Sequence, residues 1–168
     1  MRILSETEKA YIAGIIDGEG CICLVKAKRG QRKRGPSPYV FYAIHLRVAN
    51  TRHELIAWLL DRIGGKMYVL QKTRGNRKLA LQWHTQGRQA KDLLAQVEPY
   101  LVIKRAQAEV ARRFFALGRT PIPSQRARLW EEMRTLNWRG LGNAVMKIQA
   151  RPKMTVPGGF QGANSENQ

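Results

Sequence analysis

The chain has 168 residues, 43% of them hydrophobic, enough to bury one core without disulfides. Its 30 lysines and arginines outnumber its 12 acidic residues, for a formal net charge of +18. That balance points to a polyanionic partner, nucleic acid first, because Lys and Arg release counterions from phosphates. The lack of a long apolar run argues against a membrane protein.

The stretch from Met1 to Glu8 is polar and carries no signal-peptide core, so the expected location is intracellular, a bacterial cytoplasm or an organelle interior, not secreted. Ser5 and Glu8 stand three residues apart, as in a capping box, and open a predicted helix over Glu6 to Asp17. Ala10, Tyr11, Ile12, Ala13, Ile15 and Ile16 make that helix apolar on nearly every side, so it expects a second burying face from a protein partner. Gly18 and Gly20 are predicted to end it, with Glu19 held just past its end. A strand follows over Cys21 to Lys28. Its two cysteines share one face and read as ordinary reduced residues. They are too close for an unstrained disulfide and lack nearby histidines for zinc.

Arg29 to Pro38 reads as a basic loop. Tyr39 to Asn50 alternates as a strand, with Tyr42, Ile44, Leu46 and Val48 on one face. Phe41, Ala43, His45, Arg47 and Ala49 lie on a mixed face. A helix is predicted over Arg52 to Ile63, stopped by Gly64 and Gly65. Met67 to Lys72 and Lys78 to His84 form two strands around a turn at Arg74 to Asn76. Helices follow over Gln89 to Val97, about Val102 to Leu117, and Ser124 to Asn137. From Pro152 the composition is that of disorder. The expected domain is therefore 1–140, followed by a basic, flexible tail over 141–168. The class is α+β, with an antiparallel four-stranded sheet whose mixed face suits a DNA major groove.

Ile12-Ala13-Gly14-Ile15-Ile16-Asp17-Gly18-Glu19-Gly20 resembles the LAGLIDADG motif position by position, with Glu19 in place of its second aspartate. Val48-Ala49-Asn50-Thr51 before a helix and Glu98-Pro99-Tyr100-Leu101-Val102-Ile103-Lys104 resemble two further segments of the single-motif LAGLIDADG homing endonucleases, in the right order. The resemblance spans about residues 8 to 137. It implies an αββαββα fold and a homodimer whose first helices, with Ala10, Ala13, Gly14 and Asp17 on the dimer helix, pack together through small residues, Gly14 and Gly18 four apart with Ala10 and Ala13 nearby. It also implies cleavage of a long pseudo-palindromic double-stranded DNA with Mg2+, or with another divalent cation such as Mn2+; Ca2+ would occupy a non-cleaving complex. Glu19 is then the metal ligand, assisted by the Gly18 carbonyl. Lys104 stands near the scissile phosphate, and Asn50 positions water. Arg52 or His53 takes the place of a further basic residue.

The implied DNA contacts are the basic strip Lys26, Lys28, Arg29, Arg32, Lys33 and Arg34, then His45 and Arg47 on the mixed face, then Lys72, Arg74, Lys78 and Gln82. Gln71 and His84 are weaker candidates. Two other readings fit the charge. One is an intron RNA maturase or non-cleaving DNA-binding protein on the same fold, which makes host intron RNA a second partner. The other is a structural RNA-associated protein, which gives no reason for Gly-Glu-Gly after an apolar helix.

Overall fold

The computed structural model describes residues 2–29, 39–71, 78–118 and 123–138. In chain order the elements are α1 (Glu6–Glu19), β1 (Gly20–Arg29), β2 (Tyr39–Asn50), α2 (His53–Ile63), β3 (Lys66–Gln71), β4 (Ala80–Gln86) and α3 (Gly87–Val97). A single 3-10 turn (Glu98–Tyr100), α4 (Arg105–Ala116) and α5 (Pro123–Asn137) complete them. The four strands form one antiparallel sheet in the order β1-β2-β4-β3. Residues 139–168, where the tail was expected, lie outside the described residues, as does the turn around Arg74.

Period-two alternation makes the sheet two-sided. Ile22 and Leu24, Ile44, Leu46 and Val48, and Leu81, Trp83 and Thr85 are buried on one side. Every helix packs against the sheet, α1 on β1 and β2, α2 and α3 on β2 and β4, α4 and α5 on β1. Trp83 is fully buried, and its indole N–H donates to the Gly64 carbonyl at 2.7 Å. Gly64 and Gly65 both take positive φ, which ends α2 and returns the chain into β3. The buried Thr85 hydroxyl donates to Gln89 at 2.8 Å, and the Gln89 amide donates to the Ile63 carbonyl. These bonds tie the end of α2 to the start of α3. Asn137 likewise fastens α5 to β1 by donating to the Ile22 carbonyl at 2.9 Å.

Ser5 and Glu8 form the expected capping box, Glu8 N–H donating to Ser5 Oγ at 3.2 Å and Ser5 N–H to Glu8 at 2.9 Å. Three expectations need correction. α1 does not stop at Asp17 but runs through Glu19, and Gly20 takes extended backbone. Gly20 is required there by space, since a Cβ would sit 2.7 Å from the Ile16 backbone. α4 starts at Arg105, not Val102, because the amides of residues 102 to 104 are engaged elsewhere. The second hairpin is displaced by up to two residues from its expected bounds.

Candidate functional site

The carboxyl end of α1 is built from two distant segments. The Asp17 carboxylate accepts the backbone N–H groups of Val102 at 2.7 Å, Ile103 at 3.1 Å and Lys104 at 2.9 Å. The Lys104 ammonium donates in turn to the Asp17 carbonyl oxygen. Burial works to raise the Asp17 carboxyl pKa. The three backbone donors and the Lys104 charge outweigh it and hold the group below its ordinary range. Lys104 is thereby fixed two residues from Glu19, which ends α1 with an exposed side chain. Asp17, expected among the helix-packing residues, instead holds the turn before α4.

The outer face of α1 is open. Ala10, Tyr11, Gly14 and Gly18 are exposed, and a Cβ on Gly14 or Gly18 would meet nothing within 4 Å. Ala13 is fully buried in the core, so it is not part of that face. Tyr11 meets Trp58 edge-on at 5.1 Å, beside a cleft that Asn50, Arg52, Glu54 and Leu55 also line. Val102 and Ile103, bonded through their backbone to Asp17 at the other end of α1, are 69% and 70% exposed. Asn50 ends β2, where its side-chain oxygen accepts the Arg52 N–H at 2.8 Å, an Asx turn. His53 opens α2 with its ring exposed beside Glu54.

The sheet side away from the helices carries His45, Arg47, His84, Gln82, Lys66 and Tyr68. Arg47 stands opposite His84, His84 opposite Lys66, and Gln82 opposite Tyr68. His84 Nε2 lies 2.9 Å from His45 Nδ1, and the Arg47 guanidinium lies 3.2 Å from the same nitrogen. Burial, then the neighbouring His84 and Arg47, lower the His45 pKa to about 4. The His84 pKa is lowered as well, by burial, then Arg47 and Lys66. Both rings are neutral at pH 7.

Lys26 does not join this face. It pairs with Tyr42, on the helix side, and its ammonium sits 4.7 Å from the Trp130 ring of α5. The side chains of Lys28, Arg29 and Gln71 lie outside the described residues, as do Arg32, Lys33, Arg34, Lys72 and Arg74 altogether. Lys78 is exposed just before β4. Sequence reasoning missed the role of Asp17 and the contributions of Lys66 and Tyr68. The alternation of β3 carried a signal for the last two.

Hard oxygen donors are present for a divalent cation, namely the Glu19 carboxylate and the Gly18 carbonyl, in a last turn of α1 whose Ile16 and Asp17 carbonyls already accept from Gly20 and Lys104. The carboxyl end of a helix also favours positive charge. Among the described residues no group of three or more His, Cys, Asp or Glu side chains could hold a metal ion. The donor set therefore fits an ion that keeps waters and takes phosphate oxygens, not a closed protein cage. No helix among these residues is long and apolar enough to cross a membrane.

No protein-family model matches the sequence, and comparison with curated proteins finds no relative. Solved structures do match. The homing endonuclease I-CvuI, in complex with its target in the presence of calcium, superposes with a TM-score of 0.63 at 23% identity over 80% of this chain and 83% of its own. The archaeal intron-encoded homing endonuclease I-Vdi141I, complexed with DNA, gives 0.60 at 14% identity over 80% and 87%. The LAGLIDADG homing endonuclease I-GzeII, in complex with a DNA target, gives 0.54 at 10% identity, over 98% of this chain and 55% of its own. The α+β architecture expected from the sequence is the one these proteins share.

Proposed function

We propose that this chain, which has the LAGLIDADG homing-endonuclease fold, is a site-specific, divalent-metal-dependent DNA endonuclease that works as a homodimer. The observation that carries the reading is the pair of helical glycines facing open space. Gly14 and Gly18 each cost α1 about 0.5–1 kcal/mol relative to alanine, and nothing in the subunit's own packing requires them. A second copy of α1 gives them a purpose, because residues without side chains let two backbones approach closely. Such a dimer joins two Glu19 carboxylates at one axis, one for each strand of a pseudo-palindromic duplex. The DNA complexes of proteins with this fold, I-CvuI among them in the presence of Ca or Mg, support the reading. The enzyme would act inside the cell, where its DNA is.

Within this site Glu19 holds the cation, with the Gly18 carbonyl beside it. A divalent cation, when bound, supplies an activated water and neutralises charge on phosphate oxygens. Lys104, kept in place by Asp17, stabilises the charge that grows on the phosphate as it is attacked. Asn50, its side-chain oxygen accepting the Arg52 N–H in the Asx turn, positions water through its side-chain nitrogen or that oxygen's second lone pair.

The test begins with selection of bound duplexes from a randomised DNA pool. The selected sequence is placed in a supercoiled plasmid and incubated with Mg2+ or with EDTA. The expected results are cutting of both strands with Mg2+, none with EDTA, and retained binding without cutting by Glu19→Gln. Cutting by Glu19→Gln at the unmodified rate refutes the assignment of Glu19. Binding without cutting by the unmodified protein in any divalent cation identifies a non-cleaving DNA-binding protein instead.

A further inference from the structure

Given the DNA-binding reading above, on which this inference rests, we propose that the open side of the sheet is divided into two base-reading zones. One is an imidazole–guanidinium zone that selects guanine. The other, an apolar zone farther out on the first hairpin, selects thymine through its methyl group.

The first zone is His45, Arg47 and His84. Arginine only donates hydrogen bonds. Because the Arg47 guanidinium lies 3.2 Å from His45 Nδ1, that nitrogen accepts, and the His45 proton resides on Nε2. His84 Nε2, 2.9 Å from the same Nδ1, must then be a donor. One nitrogen thus fixes the tautomer of both rings. What remains is donor-rich, namely the His45 Nε2–H and the unused N–H groups of Arg47, with His84 Nδ1 as the one acceptor of the three side chains. In the major groove, guanine alone presents two adjacent acceptors, N7 and O6, and each good bidentate pair discriminates strongly against other bases.

The second zone lies outward along β1 and β2. Val25 pairs with Ala43, and Ala27 with Phe41. By alternation these four share the open side with His45, while Leu24 and Ile44 are buried on the other. Phe41 is 37% exposed and Val25, Ala27 and Ala43 are half-buried, so no described helix covers them. Their side chains offer no hydrogen bond and cannot read a polar base edge. The one apolar feature in the major groove is the thymine C5-methyl group, which Ala and Phe side chains contact well. A net charge of +18 makes a polyanion, not an apolar peptide, the occupant that brings this surface against a ligand. Phe41 stands four residues from His45 on β2, ~13 Å at strand rise. That is about four steps of a duplex rising ~3.4 Å per base.

The experiment uses the full chain and the duplex selected from the random pool. The selected half-site should contain a guanine and, about three to four base pairs outward, one or more thymines. Replacing those thymines by deoxyuridine removes only the methyl group and leaves the protein untouched. It should weaken binding about fourfold per contacted thymine, the worth of one buried methyl. Phe41→Ala should show a smaller loss on the same replacement, whereas Arg47→Ala should lose the guanine preference and keep the thymine effect. Unchanged affinity for the deoxyuridine duplex, with sequence-selective binding otherwise intact, overturns the inference and leaves the DNA-binding reading standing. Failure to select any duplex overturns that reading itself, and this inference with it.

Discussion

Asp17 does at residue scale what the motif's own spacing does not announce. Its carboxylate gathers three consecutive backbone N–H groups that would otherwise lack partners before α4, and so sets where Lys104 stands. Removal of such a cap costs about 0.5–2 kcal/mol. The pKa of Asp17 is depressed in the folded protein, so its ionised form stabilises the fold above the ordinary aspartate range, and that contribution fades as pH falls through the lowered value. Asp17→Asn should therefore be less stable than the unmodified protein at pH 7, and the gap between them should close on acidification below the ordinary aspartate range. Denaturant midpoints at a series of pH values measure it, and a gap that widens at low pH would contradict the role. The variant should also lower the cutting rate through Lys104 while leaving duplex affinity nearly unchanged, a split that general destabilisation does not produce. The residue was visible as part of a motif, but its partners lie 85 to 87 positions away in the chain, beyond the reach of any local pattern.

At the scale of an element, α1 and its C-cap hold three glycines with two different purposes. Gly20 serves the subunit, because a side chain there would strike the Ile16 backbone. Gly14 serves something outside it. Gly20→Ala should thus destabilise the fold by about 1–3 kcal/mol, the usual cost of overpacking. Gly14→Ala should stabilise the separated subunit by about 0.5–1 kcal/mol, and Gly14→Leu should leave it folded but monomeric and unable to cut. Sedimentation and thermal unfolding of the three variants distinguish these outcomes; a dimeric Gly14→Leu protein would remove the case for α1 as the interface. Periodicity made most elements legible. Ser5 and Glu8 opened α1, Gly64 and Gly65 closed α2, and the alternation in β2 sorted Ile44, Leu46 and Val48 from His45 and Arg47. It was overridden where Lys26 was grouped with the basic strip as a DNA contact. Lys26 has the parity of Ile22 and Leu24, and that parity set its side of the sheet. The start of α4 was misread because Val102 and Ile103 look like helix core, yet they remain exposed beside the end of α1.

The whole molecule is governed by its charge. A subunit at +18 repels its own copy, so a dimer must draw its cohesion from contact along α1 and its apolar margin, and gains further when a duplex neutralises both halves. Binding should then fall steeply with salt. A protein that makes six to ten phosphate contacts loses about 10³–10⁵ in affinity between about 50 and 200 mM salt. The same titration separates the roles assigned to individual residues. Glu19→Gln should keep the full slope of log affinity against log salt, because one carboxylate at the metal adds no phosphate contact. Arg47→Ala should lose discrimination at its guanine with little change in slope, as expected of a base contact, whereas neutralising a lysine that touches phosphate should reduce the slope by about one for each contact removed. If Arg47→Ala instead weakens every duplex equally and flattens the slope, Arg47 is a backbone contact, and the open face of the sheet grips DNA there without reading it.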